Sequence, residues 1–155
     1  MDRISGMRIV RTTSDNKDFR ELIPELDQFL WDLDGPELQG YYKNLNVIEE
    51  NKTVLVAYVN DKPAGCGCFK PYNNTSVEIK RMYARPEFRG EGVGYGILSG
   101  LEQWAKELGY STALLETGHL QAEAIKLYKR SGYALIENYG PYIGIANSIC
   151  FEKQL

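Results

Sequence analysis

Arg89-Gly90-Glu91-Gly92-Val93-Gly94-Tyr95-Gly96 is the stretch on which the fold turns. It follows an alternating segment, Ser76–Ala84 (SVEIKRMYA), and opens a stretch in which Val93, Ile97, Leu101, Ala105 and Leu108 recur at spacings of three and four. That pattern is a strand running through glycines into a helix. Glycines let a backbone come close to a ligand, and the first N–H groups of a helix have no partner within it. Such a turn can hold an anion, with pyrophosphate the natural guest. It is neither of the two commoner phosphate loops. The dinucleotide pattern G-x-G-x-x-G fails because Tyr95 or Ile97 stands at the third glycine position, and no Lys-Ser or Lys-Thr closes the turn as a Walker loop requires.

Working outward, the helix over residues 92–108 ends at Gly109, and TALLET at 112–117 reads as a buried strand. Together with Ser76–Ala84 this makes a strand-helix-strand unit of the right length for a parallel crossover, whose first turn is where a ligand belongs. Downstream, Ala122–Arg130 is a helix stopped by Gly132, and strands at 133–137 and 148–153 flank the loop NYGPYIGIAN at 138–147. Upstream, strands at 53–60 and 64–70 form a hairpin about Asn60-Asp61-Lys62. The turn Pro71-Tyr72-Asn73-Asn74 extends it into an antiparallel meander. A strand at 7–13 opens the chain. Phe19, Leu22, Ile23, Leu26, Phe29, Leu30 and Leu33 then lay an apolar helical face along 18–33, where Pro24 implies either two short helices or one kinked helix. A further short helix over 37–47 carries Tyr41 and Tyr42. The order describes a mixed α/β domain spanning 1–155, without repeat or linker.

The 155 residues, 43% of them apolar, suffice for one core without disulfide or metal staples. Eighteen Lys plus Arg against 21 Asp plus Glu leave a net charge of -3, which argues against nucleic acid as a partner. No apolar run approaches the roughly 18 residues of a membrane span. Cys66, Cys68 and Cys150 are an odd number with no leader pattern after Met1, so a cytoplasmic setting is expected. C-x-C in an alternating strand places both thiols on one face. Structural zinc wants four ligands, so the cysteines read as small core residues and no metal is expected.

Two motifs in order carry a resemblance. Arg89-x-x-Gly92-x-Gly94, after Arg81-Met82-Tyr83-Ala84-Arg85-Pro86, resembles the acetyl-CoA site of the GNAT superfamily of N-acetyltransferases. Ala124-Ile125-Lys126-Leu127-Tyr128-Lys129-Arg130-Ser131-Gly132-Tyr133 is similar to that superfamily's second motif. The resemblance runs from about Thr53 to the end. It implies a GNAT fold, a mixed, mainly antiparallel sheet with a splayed parallel strand pair flanked by helices. By that likeness acetyl-CoA lies in the splay. The backbone of Arg89, Gly90, Glu91, Gly92, Val93, Gly94 and Tyr95 would cradle its pyrophosphate, and Met82, Tyr83 and Ala84 would run beside its pantetheine arm. Gln121 stands where family members often have an asparagine on the same arm. Dimerisation at a sheet edge is a habit of the superfamily.

Acetyl transfer to an amine needs a neutral amine, a polarised thioester carbonyl and a proton for the departing thiolate. Tyr128 matches the family's usual general acid. Glu78, eleven residues before Arg89, stands where several members place a carboxylate base, with Glu116 or a water chain as alternatives. A backbone N–H of the Ser76–Ala84 strand, Met82 being the family-like choice, would polarise the carbonyl. Trp31, Tyr41, Tyr42, Tyr139 and Tyr142 are candidate walls of an acceptor pocket, with Tyr139 and Tyr142 preferred because a Gly-Pro loop exposes its aromatics. His119, a lone histidine in a turn, stays outside this set. The expected activity is acetyl transfer by direct attack to a primary amine of a small molecule, or of a protein. A non-catalytic acyl-CoA-binding regulatory module is the alternative.

Overall fold

The computed structural model describes residues 6–35 and 50–155; the helix expected over 37–47, with Tyr41 and Tyr42, lies outside the described residues. The described chain runs β1 (Met7–Thr12), α1 (Lys17–Asp34), β2 (Val54–Val59), β3 (Lys62–Pro71) and β4 (Ser76–Ala84). It continues with α2 (Val93–Glu107), β5 (Thr112–Gly118), α3 (Ala122–Arg130), β6 (Ala134–Ile136) and β7 (Ser148–Gln154). Short 3-10 turns lie at Pro86–Phe88 and Gly140–Tyr142. The strands form one sheet in the order β1-β2-β3-β4-β5-β7-β6. Only β4 and β5 pair in parallel; the other neighbours are antiparallel.

Every residue of β2 is buried, as a central strand covered on both faces requires. Its alternation sorts the core into two layers. Leu55, Ala57 and Val59 pack with Ile97, Leu98 and Leu101 of α2 and with Tyr128. Val54, Val56 and Tyr58 pack with Phe19, Leu22, Ile23 and Leu26 of α1. Cys66 and Cys68 join this second layer as small core residues, and burial pushes the Cys68 thiol up to about 12.

Asn16 caps α1, accepting the Phe19 N–H at 2.9 Å. The helix passes Pro24 as a single element, because the ring is on the exposed side while Leu22, Ile23 and Leu26 stay anchored in the core around it. The β2–β3 hairpin is tighter than expected, with β3 starting at Lys62. Asn60 and Asp61 take φ of 51° and 65°, the left-handed pair of a two-residue turn. β6 is shorter than expected, three residues at the sheet edge.

Two irregularities open the middle of the sheet. Pairing of β4 with β5 runs from Ser76–Thr112 to Ile79–Leu115 and stops there, although β5 stays paired with β7 as far as Gly118–Ser148. The strands therefore fork beyond Ile79 and Leu115. On the other edge of β4 the register passes from Cys68–Lys80 to Cys66–Tyr83, so β4 holds one extra residue. Arg81 takes a left-handed φ of 60° at this bulge. Its side chain, 9% exposed, is held by an ion pair with Asp27 at 2.8 Å. Arg85 makes a second tie, to Glu25 at 2.7 and 3.0 Å, and this hydrogen bonding holds the Glu25 carboxyl below its ordinary range. Helix α1 is thus fastened across the forked half of β4. Among the described residues no helix is long and apolar enough to cross a membrane.

Candidate active site

The glycine turn follows β4 through the 3-10 turn at Pro86–Phe88 and leads into α2. Gly90 and Gly92 take φ of +79° and +88°, with open space where a side chain would begin, so backbone angle and not crowding calls for glycine. Gly92 is the N-terminal cap of α2, and the first bond of that helix runs from the Gly96 N–H to the Gly92 carbonyl at 2.9 Å. The N–H groups of Val93, Gly94 and Tyr95 precede it and have no acceptor within the helix. Val93 is buried and anchors the turn in the core, whereas Glu91 and Tyr95 are exposed. Arg89 Nε donates to the Ala84 carbonyl at 3.0 Å, and its guanidinium lies over the rings of Phe29 and Tyr83 at 4.7 and 5.9 Å. The turn is thereby tied to the end of β4 and to α1.

A cavity occupies the fork. β4 contributes Glu78, Lys80 and Met82; β5 contributes Glu116 and Thr117; Leu26, Leu30 and Asp34 of α1 close one side. Gln121 and Tyr128 stand on the α3 side, and Tyr142 closes the remaining wall. Tyr128 is buried against Tyr133 and Phe151, and burial together with the nearby Glu116 carboxylate pushes its hydroxyl above the ordinary range. Glu116 is itself raised by burial, against the opposing pull of a Ser148 hydrogen bond and the Lys80 charge. Lys80 is lowered, again chiefly by burial, with Glu78 acting the other way.

Glu78 is 5% exposed, not a solvent-facing strand residue. Tyr139 Oη donates to its Oε2 at 2.8 Å, and Lys70 Nζ lies 3.9 Å from its Oε1. Lys80 Nζ donates to Tyr142 Oη at 3.4 Å. The expectation that this loop exposes its aromatics is overturned. Asn138 donates to the carbonyls of Tyr142 and Ile145 at 3.1 and 2.9 Å, closing the loop on itself, and Tyr142 is only 3% exposed. The loop turns its hydroxyls onto β4.

Of the residues expected beside the pantetheine arm, Met82 lines the cavity, while the Tyr83 side chain packs under α1 and Ala84 supplies the carbonyl that holds Arg89. Gln121 lines the cavity as well. Trp31 stands 47% exposed on α1 and is not part of the lining; Tyr41 lies outside the described residues. His119 is exposed. Sequence reading missed Lys80 and Asp34. Lys80 was within reach of it, since residues two apart on a strand share a face and Glu78 was already singled out. Nothing in the sequence links Asp34 to the fork.

The family model described as the Acetyltransferase (GNAT) family matches residues 15–133. An IAA acetyltransferase of Azospirillum brasilense is 35% identical over 136 residues, which cover 87% of this chain and 89% of the relative. An uncharacterized N-acetyltransferase of Schizosaccharomyces pombe is 31% identical over 84% of this chain and 83% of its own. Among solved structures, a Klebsiella pneumoniae chain assigned as an acyl-CoA N-acyltransferase superposes with a TM-score of 0.78 at 30% identity, covering 96% of this chain and 97% of the other. The PaiA N-acetyltransferase of Thermoplasma acidophilum, solved with coenzyme A, shares the fold at a TM-score of 0.71 and 18% identity, over 96% and 99%. The family match takes in the glycine turn, the fork and Tyr128 together, and on it the chain belongs to the acetyltransferase (GNAT) family.

Proposed function

We propose that this chain transfers an acetyl group from acetyl-CoA to a primary amine of a small molecule by direct attack. The donor reading passes a test of fit. Gly90 and Gly92 leave open space over a row of helix-opening N–H groups, a concave site for a pyrophosphate, and the fork beyond Ile79 and Leu115 leaves room for a pantetheine arm. Arg89, Gly90, Glu91, Gly92, Val93, Gly94 and Tyr95 would hold the first. Met82, Gln121 and the neighbouring backbone of β4 would line the second, with Tyr83 and Ala84 fixing that backbone. Acetyl-CoA supplies an acyl carbon activated by its thioester.

The chain's own groups meet the remaining needs. The carrying observation is that Tyr128 and Glu116, electrostatic neighbours, both face the one cavity in the fork. Tyr128 gives its proton at Oη to the departing sulfur. The phenol is protonated at rest and so has a proton to give. Glu78 and Glu116 share the ammonium end of the acceptor. Glu78 is engaged by Tyr139 and Lys70 and orients the amine. Glu116, whose carboxyl burial raises above the ordinary carboxylate range, takes the amine proton. This refines the expectation that placed the base at Glu78. α1 and the Tyr139–Tyr142 turn close the cavity from two sides, which suits a compact acceptor better than a folded protein surface.

Thermal unfolding in the presence of acetyl-CoA, CoA and ATP tests the donor, because a ligand of the native state raises Tm with concentration. A rise with both CoA species and not with ATP is expected, followed by thiol release on addition of amines. No response to CoA overturns the reading.

A further inference from the structure

We propose that Lys80 is an acetylation site of this protein, modified in the fork by its own chemistry when acetyl-CoA is bound and no acceptor is present. This rests on the acetyl-CoA reading above. The argument is one of placement. Lys80 is the first residue of β4 past the last β4–β5 pair, as Glu116 is on β5, so the two face each other at the point where the strands part. Lys80 shares the cavity with Met82 on its own strand and with Tyr128 across it. Strand alternation puts it on the same face as Glu78. Among the described residues, the charged groups around it include Glu78, Lys70 and Arg81 on the β3–β4 side and Glu116 on β5, and Asp34 of α1 lines the same cavity. Tyr142 Oη accepts from its Nζ at 3.4 Å and keeps the side chain in the cavity.

What a small amine would find in the fork, Lys80 already has. Burial favours its neutral form, two carboxylates can take the ammonium proton, and the Tyr128 hydroxyl faces the same space. The step balances without a further reactant. The Nζ lone pair forms an N–C bond to the acyl carbon, the C–S bond breaks, and sulfur keeps the electron pair and takes the Tyr128 proton. The proton released by nitrogen goes to Glu116 and from there restores the phenol. The product is an amide between Glu78 and Glu116, so the modification turns a titratable amine of the cavity lining into a group that cannot take a proton, and it fills acceptor space. An acceptor bound in the cavity would compete with it.

The test is mass spectrometry of the full chain incubated with acetyl-CoA alone, with peptide mapping of the added acetyl group, alongside Tm measurements. Trace labelling with acetic anhydride across pH, without acetyl-CoA, reads the basicity of Lys80 separately. The expected result is one acetyl group at Lys80, formed at a rate that saturates with acetyl-CoA, slowed about 10²-fold in Tyr128→Phe and absent in Lys80→Arg. Lys80 should also label at lower pH than the exposed Lys126. A Tm rise with acetyl-CoA and an unmodified Lys80 overturns this inference and leaves the donor reading standing. So does acetylation spread over exposed lysines such as Lys62 and Lys126 regardless of Tyr128, or labelling of Lys80 at the pH of Lys126. A Tm unmoved by acetyl-CoA overturns both readings.

Discussion

Tyr139 Oη donates a 2.8 Å hydrogen bond to Oε2 of Glu78, so the loop before β7 sets the orientation of a carboxylate on β4. Glu78 is buried and so cannot replace that donor freely with water. Tyr139→Phe is expected to destabilise the fold by about 1.5–3 kcal/mol, the range for a hydrogen bond to a charged group. KM for the amine should rise while acetyl-CoA affinity stays as it was. Denaturant melts and steady-state kinetics check this. An unchanged KM would mean that Glu78 does not meet the acceptor.

Tyr128→Phe keeps the ring contacts with Tyr133 and Phe151 and removes only the hydroxyl that faces the cavity. Loss of a general acid lowers kcat by roughly 10²-fold or more. The expected outcome is that fall in kcat with the CoA-induced Tm shift intact. A variant that binds CoA and turns over normally would remove Tyr128 from the mechanism.

Gly92 and Gly109 allow a matched comparison at the two ends of α2. Both have positive φ, +88° and +96°, and at both an added methyl group meets nothing within 4 Å. Alanine at either should strain the backbone by about 1–2 kcal/mol. Only Gly92→Ala disturbs the row of N–H groups over which a pyrophosphate would lie. It should therefore weaken acetyl-CoA binding, read by calorimetry, whereas Gly109→Ala should lower Tm alone. Equal affinities in the two variants would place the pyrophosphate elsewhere.

These differences mark how far sequence reaches here. The β2 strand and the apolar face of α1 were legible because the one is a run of β-branched and aromatic residues and the other repeats at three and four, and the glycine turn was legible because its position between strand and helix limits what it can be. Tyr128 was found through the spacing of a motif. The bulge was not visible. Arg81 is a side chain with no preference for left-handed φ, yet it takes 60° at the register shift, where Asp27, 54 positions earlier, holds its guanidinium at 2.8 Å. Nor could the inward turn of Tyr139 and Tyr142 be read. It depends on Asn138 closing the loop through two carbonyls and on Glu78 receiving a hydroxyl from 61 positions away. Local pattern shows elements and turns; it does not show which distant polar groups will satisfy one another.

Glu116 links stability to activity through one titration. Burial raises its carboxyl in the folded chain, while unfolding returns it to the ordinary carboxylate value. Between those two values the native state binds more protons than the unfolded state, so stability falls as pH rises across that window and levels off above it. Glu116→Gln cannot titrate. Its stability should lack this decline and should exceed that of the parent chain at neutral pH, by an amount that disappears at acid pH where both side chains are neutral. The rate has the opposite slope. A base must be ionised to accept the amine proton, so kcat/KM should climb with pH through the same raised value, and in Glu116→Gln that limb should vanish with a loss of about 10²-fold. Melts and pH–rate profiles on the two proteins measure both. If the Gln variant gains stability but keeps the rate limb, Glu116 is a buried carboxylate without a role in proton transfer, and Glu78 becomes the base. Loss of both limbs at one pH assigns the proton to Glu116.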